Sequence, residues 1–139
     1  MPVSFTILPQ RNLAIFTYWG EVTLQESGDV VAAASAHPDH RPGMRQLCDL
    51  SRVTGVERNF PALLKIQALM AESLVIKPME LVVVFFAPTR AGQELVQMAR
   101  KSWEGLNSVI VLWQEDETDA LALLGLPEKS LAALLACVN

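Results

Sequence analysis

A chain of 139 residues, 51% hydrophobic and only 19% charged, has the length of one domain (1–139) and enough apolar material for one substantial core. Its net charge of −4, with no basic run anywhere, excludes the clustered lysines and arginines that nucleic acid demands. The longest apolar run, Leu81 to Ala87, is far short of the roughly twenty residues of a membrane span, so no membrane insertion is expected.

The chain opens with two β-rich runs, Val3–Leu8 and Leu13–Trp19, joined by Pro9-Gln10-Arg11-Asn12, a polar connection that signals a hairpin. Aromatic and branched residues fill the second run, as expected of a strand pressed on a core, and Gly20 should break it. Thr23 is placed to cap a helix from Leu24 to about Ala36, with Leu24, Gly28, Val31 and Ser35 inward and Gln25, Glu26 and Asp29 in water. Pro38 follows its end.

A short strand is expected at Arg45–Leu50. Asn59 then caps the longest helix, Asn59 to Lys77, with Pro61 in its tolerated first turn and a broad stripe of Leu63, Ile66, Met70 and Leu74. Glu80–Ala87 is apolar without alternation, the mark of a parallel strand covered on both faces. A helix at Thr89–Glu104 buries Ala91, Leu95, Met98 and Ala99, and Val109–Trp113 supplies the last strand. Thr118 or Asp119 caps a short helix ending at Gly125. Pro127 starts a terminal helix that turns Leu131, Leu134, Leu135 and Val138 inward. An opening hairpin followed by alternating helices and strands makes this an α/β domain: a single mixed, mostly parallel five-stranded sheet flanked by helices.

The chemistry-bearing residues are few. His37-Pro38-Asp39-His40 offers two imidazoles and a carboxylate, but the proline denies them a shared helical face and no third ligand is near, so no metal is expected. Glu115-Asp116-Glu117 precedes a helix start, where acidic residues favour the dipole without binding a cation. No GxSxG, glycine-rich phosphate loop or HExxH occurs, and neither Cys48 nor Cys137 has an activating neighbour. No cofactor and no catalytic residue is therefore assigned. Two cysteines without a disulfide framework, and an N-terminus without signal-peptide character, fit a cytoplasmic protein.

Position in the fold is more informative. Open α/β sheets meet their ligands and partners at the carboxyl ends of the parallel strands. Asp49, Ser51, Arg52 and Thr54 fall at one such end, Thr89 and Arg90 at the next, and Gln114 to Asp116 at the last. Hydroxyls, two arginines and new helix N-termini suit an anion or a peptide, although Asp49, Ser51 and Thr54 equally suit a turn.

The segment Cys48-Asp49-Leu50-Ser51-Arg52-Val53-Thr54 resembles the end of the third strand in SpoIIAA-like, or STAS, domains of anti-sigma-factor antagonists, where a D-L-S-x-V-x pattern leads to a D-S-S-G helix start. The order of elements matches too. The chain is most similar to a bacterial branch of uncharacterised STAS-like proteins, through Gly20-Glu21-Val22-Thr23, His37-Pro38 and Met98-Ala99-Arg100. Some of those relatives carry names linking them to CRAL-TRIO-type lipid-transfer domains. Counted from Asp49, the D-S-S-G segment falls on Glu57-Arg58-Asn59-Phe60, so Asn59 stands where the family has its phosphorylated serine. Asparagine caps a helix as well as serine does but accepts no phosphate.

The resemblance implies a non-enzymatic interaction module, working as a homodimer, that docks a protein partner near Asp49, Ser51, Arg52 and Asn59. The surplus of large apolar residues supports the alternative of a small apolar, lipid-like ligand held between the long helix and the sheet. The same surplus, on the terminal and long helices, is the sequence-level reason to expect a dimer.

Overall fold

The computed structural model describes residues 3–41, 43–57, 61, 64–65, 68, 81–103 and 109–136. The longest expected helix, 59–77, lies almost wholly outside them; Pro61, Leu64, Lys65 and Ala68 are helical and exposed. One five-stranded sheet organises the rest, in the order β1 (Val3–Leu8), β2 (Leu13–Val22), β3 (Arg45–Val56), β4 (Leu81–Phe86), β5 (Val109–Gln114). The β1–β2 pair is antiparallel and all later pairs are parallel. The described helices are α1 (Leu24–Ser35), α2 (Arg90–Trp103), α3 (Glu117–Leu123) and α4 (Leu131–Leu135).

The hairpin is closed by a single 3-10 turn, Pro9–Arg11, and by Asn12 in the left-handed region at φ 52°. Asparagine is among the few residues that adopt this conformation readily. Strand order follows chain order, so right-handed crossovers carry α1 and α2 over the same face. There Val30, Val31 and Ala34 of α1 and Leu95, Val96 and Ala99 of α2 bury Ala14, Phe16, Cys48, Leu50, Val83 and Phe85. The shorter α3 and α4 close the opposite face over Leu8, Leu13, Ile15, Leu47 and Val84. β4 contributes Val83 to one core and Val84 to the other, which is why its sequence shows no alternation.

Capping chemistry sets the helix limits. Thr23 Oγ1 accepts from the Glu26 amide at 3.2 Å and donates to Glu26 Oε1 at 2.6 Å, starting α1 at Leu24 as expected. The buried side of α1 is Val30, Val31 and Ala34, while Gly28 and Ser35 are half-buried. Asp116, not Thr118 or Asp119, caps α3, its carboxylate accepting from the Asp119 amide at 2.9 Å. Thr118 instead donates to the Lys129 carbonyl at 2.8 Å and braces the following loop. A Schellman-type ending joins the Gly125 amide to Ala122 O (2.9 Å) and the Leu126 amide to Leu121 O (3.1 Å), with Gly125 at φ 70° and both leucines buried. Pro127 does not start the last helix: Ser130 does, accepting from the Ala133 amide at 3.0 Å. In α4, Leu131 and Leu134 are buried, but Leu135 is 37% exposed.

Two further expectations are corrected. Gly20 does not break β2, which continues to Val22. At φ 69° it absorbs an irregularity in the pairing with β3. β3 is not a short strand but runs twelve residues, through Asp49–Thr54 to Val56.

Candidate functional site

From Thr17 to Trp19 β2 advances two residues while β3 advances three, from Asp49 to Arg52, so β3 carries one extra residue there. A second shift follows between Gly20/Glu21 and Val53/Gly55. The first bulge has a visible cause: Asp49 Oδ1 accepts from the Ser51 amide at 3.0 Å and from Ser51 Oγ at 2.6 Å, a local turn built into the strand. Asp49, Ser51, Arg52 and Thr54 therefore stand inside a strand rather than on the expected strand-ending loop.

Alternation then sorts these side chains. Leu47 packs under α3 and α4, so Asp49 lies on that same face, beside Thr17 of β2 and Phe86 of β4. A transverse row, Ser4–Thr17–Asp49–Phe86–Gln114, crosses all five strands there. Each member is exposed or half-buried, whereas the neighbouring Ile15, Leu47 and Val84 are sealed by α3 and α4. The two short helices cover only the amino half of this face. Beyond the row Trp19 pairs laterally with Arg52, both exposed.

At the opposite edge of β3, Thr89 Oγ1 accepts from the Gly92 amide at 3.1 Å, capping α2, and donates to Val53 O at 3.4 Å. Gly92 favours this closeness: a Cβ there would sit 3.1 Å from Leu50 O and 3.2 Å from Leu50 Cβ, tighter than an ordinary contact. Arg90 is exposed at the first turn of α2. Nearby, Gln93 Nε2 donates to Ala87 O and to Glu115 Oε1, both at 3.2 Å. The fold thus brings Asp49 to Ser51 and Thr89 to the end of β3. Asn59 and Cys137 lie outside the described residues. The apolar density of its strand predicts a core position for Trp19, yet it is 38% exposed. Its sequence signal is the alternation of Tyr18 and Val22, both buried, with Trp19 and Glu21 between.

The strongly shifted acids lie elsewhere. Burial, with the Asp49 charge beside it, pushes the Cys48 thiol up to about 12. Burial likewise raises Tyr18 well above the usual phenol range, Cys48 adds to this, and a hydrogen bond with Ser27 opposes it. Both are held neutral beneath the helices. His37 packs edge-on against Phe5, centroids 6.0 Å apart, and its Nδ1 accepts from the Asp39 amide at 3.1 Å. Partial burial, then the electrostatic influence of neighbouring Arg41 and His37, lowers His40 below the usual imidazole range. Among the described residues no three His, Cys, Asp or Glu side chains converge on a metal position, and no helix is long and apolar enough to cross a membrane.

Neither a known family model nor a curated protein matches the sequence. A solved structure does: an uncharacterised DUF3478-family protein with a SpoIIAA-like fold from Shewanella loihica PV-4, with a TM-score of 0.52 and 14% identity over 88% of this chain and 93% of that one. The chain has a SpoIIAA-like fold, as Cys48–Thr54 and the order of elements suggest.

Proposed function

We propose that this chain is a non-enzymatic, STAS-like interaction module that docks a protein partner on the carboxyl half of its sheet, beyond the reach of α3 and α4. The observation that carries this reading is the exposed Trp19–Arg52 pair beside the polar row through Thr17 and Asp49. Tryptophan and arginine are the residue types most enriched where protein interfaces concentrate their binding energy. Cys48 itself, buried and protonated, is not a nucleophile, since that role needs a thiolate with access to substrate. With Asn59 in place of a phosphorylatable serine, partner binding here is constitutive or controlled elsewhere, as at the Ser51 or Thr54 hydroxyl of β3.

The test is quantitative capture of bound protein by immobilised wild type, Arg52→Glu, Thr54→Lys and, as a control at the far end of the sheet, Lys129→Glu. A partner retained by wild type and the control but lost by the first two supports the reading. Equal retention by all four overturns the site.

A further inference from the structure

β2 and β3 outrun their neighbours. Pairing with β1 reaches only Val3↔Tyr18 and pairing with β4 only Asp49↔Phe86, so among the described residues Trp19–Val22 and Arg52–Val56 pair with each other alone. This two-stranded ribbon has one buried side, formed by Val22 and Val53. Its other side carries Trp19, Glu21 and Arg52, all exposed. Glu21 lies over Gly55, where a Cβ would stand 3.3 Å from both Glu21 Cγ and Oε1; the glycine leaves the space that this side chain uses. The ion pair found among the described residues joins Arg11 to Glu128 at the other end of the sheet, and neither Glu21 nor Arg52 takes part in one.

We infer that the ribbon face is a self-association surface whose occupant is a second copy of this chain. This deepens the proposal above and rests on it. Charge complementarity selects this occupant: the face offers one anion, one cation and an aromatic ring between neighbouring strands. A partner of a single charge sign satisfies one of the two charges and repels the other. A copy related by a two-fold axis satisfies both, because each Arg52 meets the Glu21 of the other chain and the two Trp19 rings share the centre. Of the two helices expected to form a dimer, the long one lies almost wholly outside the described residues, and the terminal one fits less well, since Leu131 and Leu134 are already buried against the chain's own sheet.

Sedimentation velocity from about 1 to about 100 µM tests this, with circular dichroism to confirm that each variant is folded. Wild type is expected to dimerise. Arg52→Glu and Glu21→Arg each place like charges across the axis and should weaken dimerisation at least about tenfold. The double variant should regain it, and an equimolar mixture of the two single variants should form a mixed dimer, because each charge again meets its opposite. Trp19→Ala should weaken association without any charge effect. A wild type monomeric throughout, a dimer indifferent to both single reversals, or folded single variants that fail to associate when mixed each overturn the inference. A monomeric wild type that still loses a captured partner on Arg52→Glu removes self-association and leaves the interaction reading standing.

Discussion

At the amino end of the parallel strands Arg11 and Arg45 are both held by partners, whereas at the carboxyl end Arg52 has no acidic one among the described residues. Arg45 donates to the carbonyls of Arg11 (2.7 Å), Asn12 and Leu124, tying the hairpin turn and the end of α3 to the start of β3. Arg11 grips Glu128 with both guanidinium nitrogens, at 2.8 and 2.9 Å, and so fastens the segment before α4 to the same turn. These contacts hold the C-terminal helices over Leu13, Ile15, Leu47 and Val84. At the other end those helices stop short, and Trp19, Glu21 and Arg52 face outward. A charge whose hydrogen bonds are already filled stabilises the fold; one left in solvent is available to a partner.

If the amino end is structural and the carboxyl end is a surface, substitutions should separate the two by stability. The largest effect is expected for Leu134→Ala, which empties a site with 0% exposure beneath α4 and should cost about 3 kcal/mol in denaturant unfolding. Trp19→Ala, by contrast, should change stability by less than about 1 kcal/mol. A comparable loss at both positions would erase the distinction. Arg45→Met should cost about 2 kcal/mol, since it strips a charged donor from three carbonyls in two chain segments. Hydrogen exchange should then quicken first in α3 and α4, and uniform quickening across the sheet would show that the clasp does not hold them.

Gly92→Ala tests the junction between the two ends. The added methyl pushes against Leu50 backbone, a cost only partly offset by the better helix propensity of alanine, so a net loss of about 1 kcal/mol is expected. A gain in stability would mean that α2 can withdraw from β3. The smallest effect belongs to Glu128→Gln. The Arg11 hydrogen bonds hold the Glu128 carboxyl below its ordinary value of 4.5, so the folded state binds its proton less readily than the unfolded chain. Its contribution is therefore complete above that value and lost as pH falls through the lower folded value. Wild type should melt slightly above Glu128→Gln at pH 7, with the two curves merging in acid; a difference constant with pH would contradict the ion pair.

Alkaline pH probes the first core in the same way. Cys48 rises from 9.0 to about 12 on folding, so the stability it contributes is full below 9 and declines between the two values. In a Cys137→Ser background, native protein at pH 8 should resist a thiol reagent that labels the unfolded chain at once. Rapid native labelling would show the core above β3 to be open.

Period and punctuation carried much of the architecture. The hairpin, the Thr23 cap, the two-sided β4 and the helix at 90–103 arise from local patterns of turn residues and apolar spacing, which tertiary contacts only confirmed. The SpoIIAA-like resemblance was also readable, in Cys48–Thr54 and the order of elements. The length of β3 was not. Asp49-Leu50-Ser51 is turn chemistry, and nothing local says that β2 continues alongside and pairs with Arg52 to Val56. The caps at Asp116 and Ser130 were hidden for a related reason: runs of eligible residues, Asp116 to Asp119 and Pro127 to Ser130, leave several starts open until packing against the sheet selects one.

The sequence by itself determined the order of strands and helices among the described residues and that the sheet must be covered on both faces, because those properties are written in the period of the side chains. Only the tertiary structure decided strand order, the reach of the C-terminal helices and hence which residues stay in solvent. Exposure depends on what else lies over a residue, so a tryptophan in an apolar strand reads as core until the helix that would bury it is found to end elsewhere.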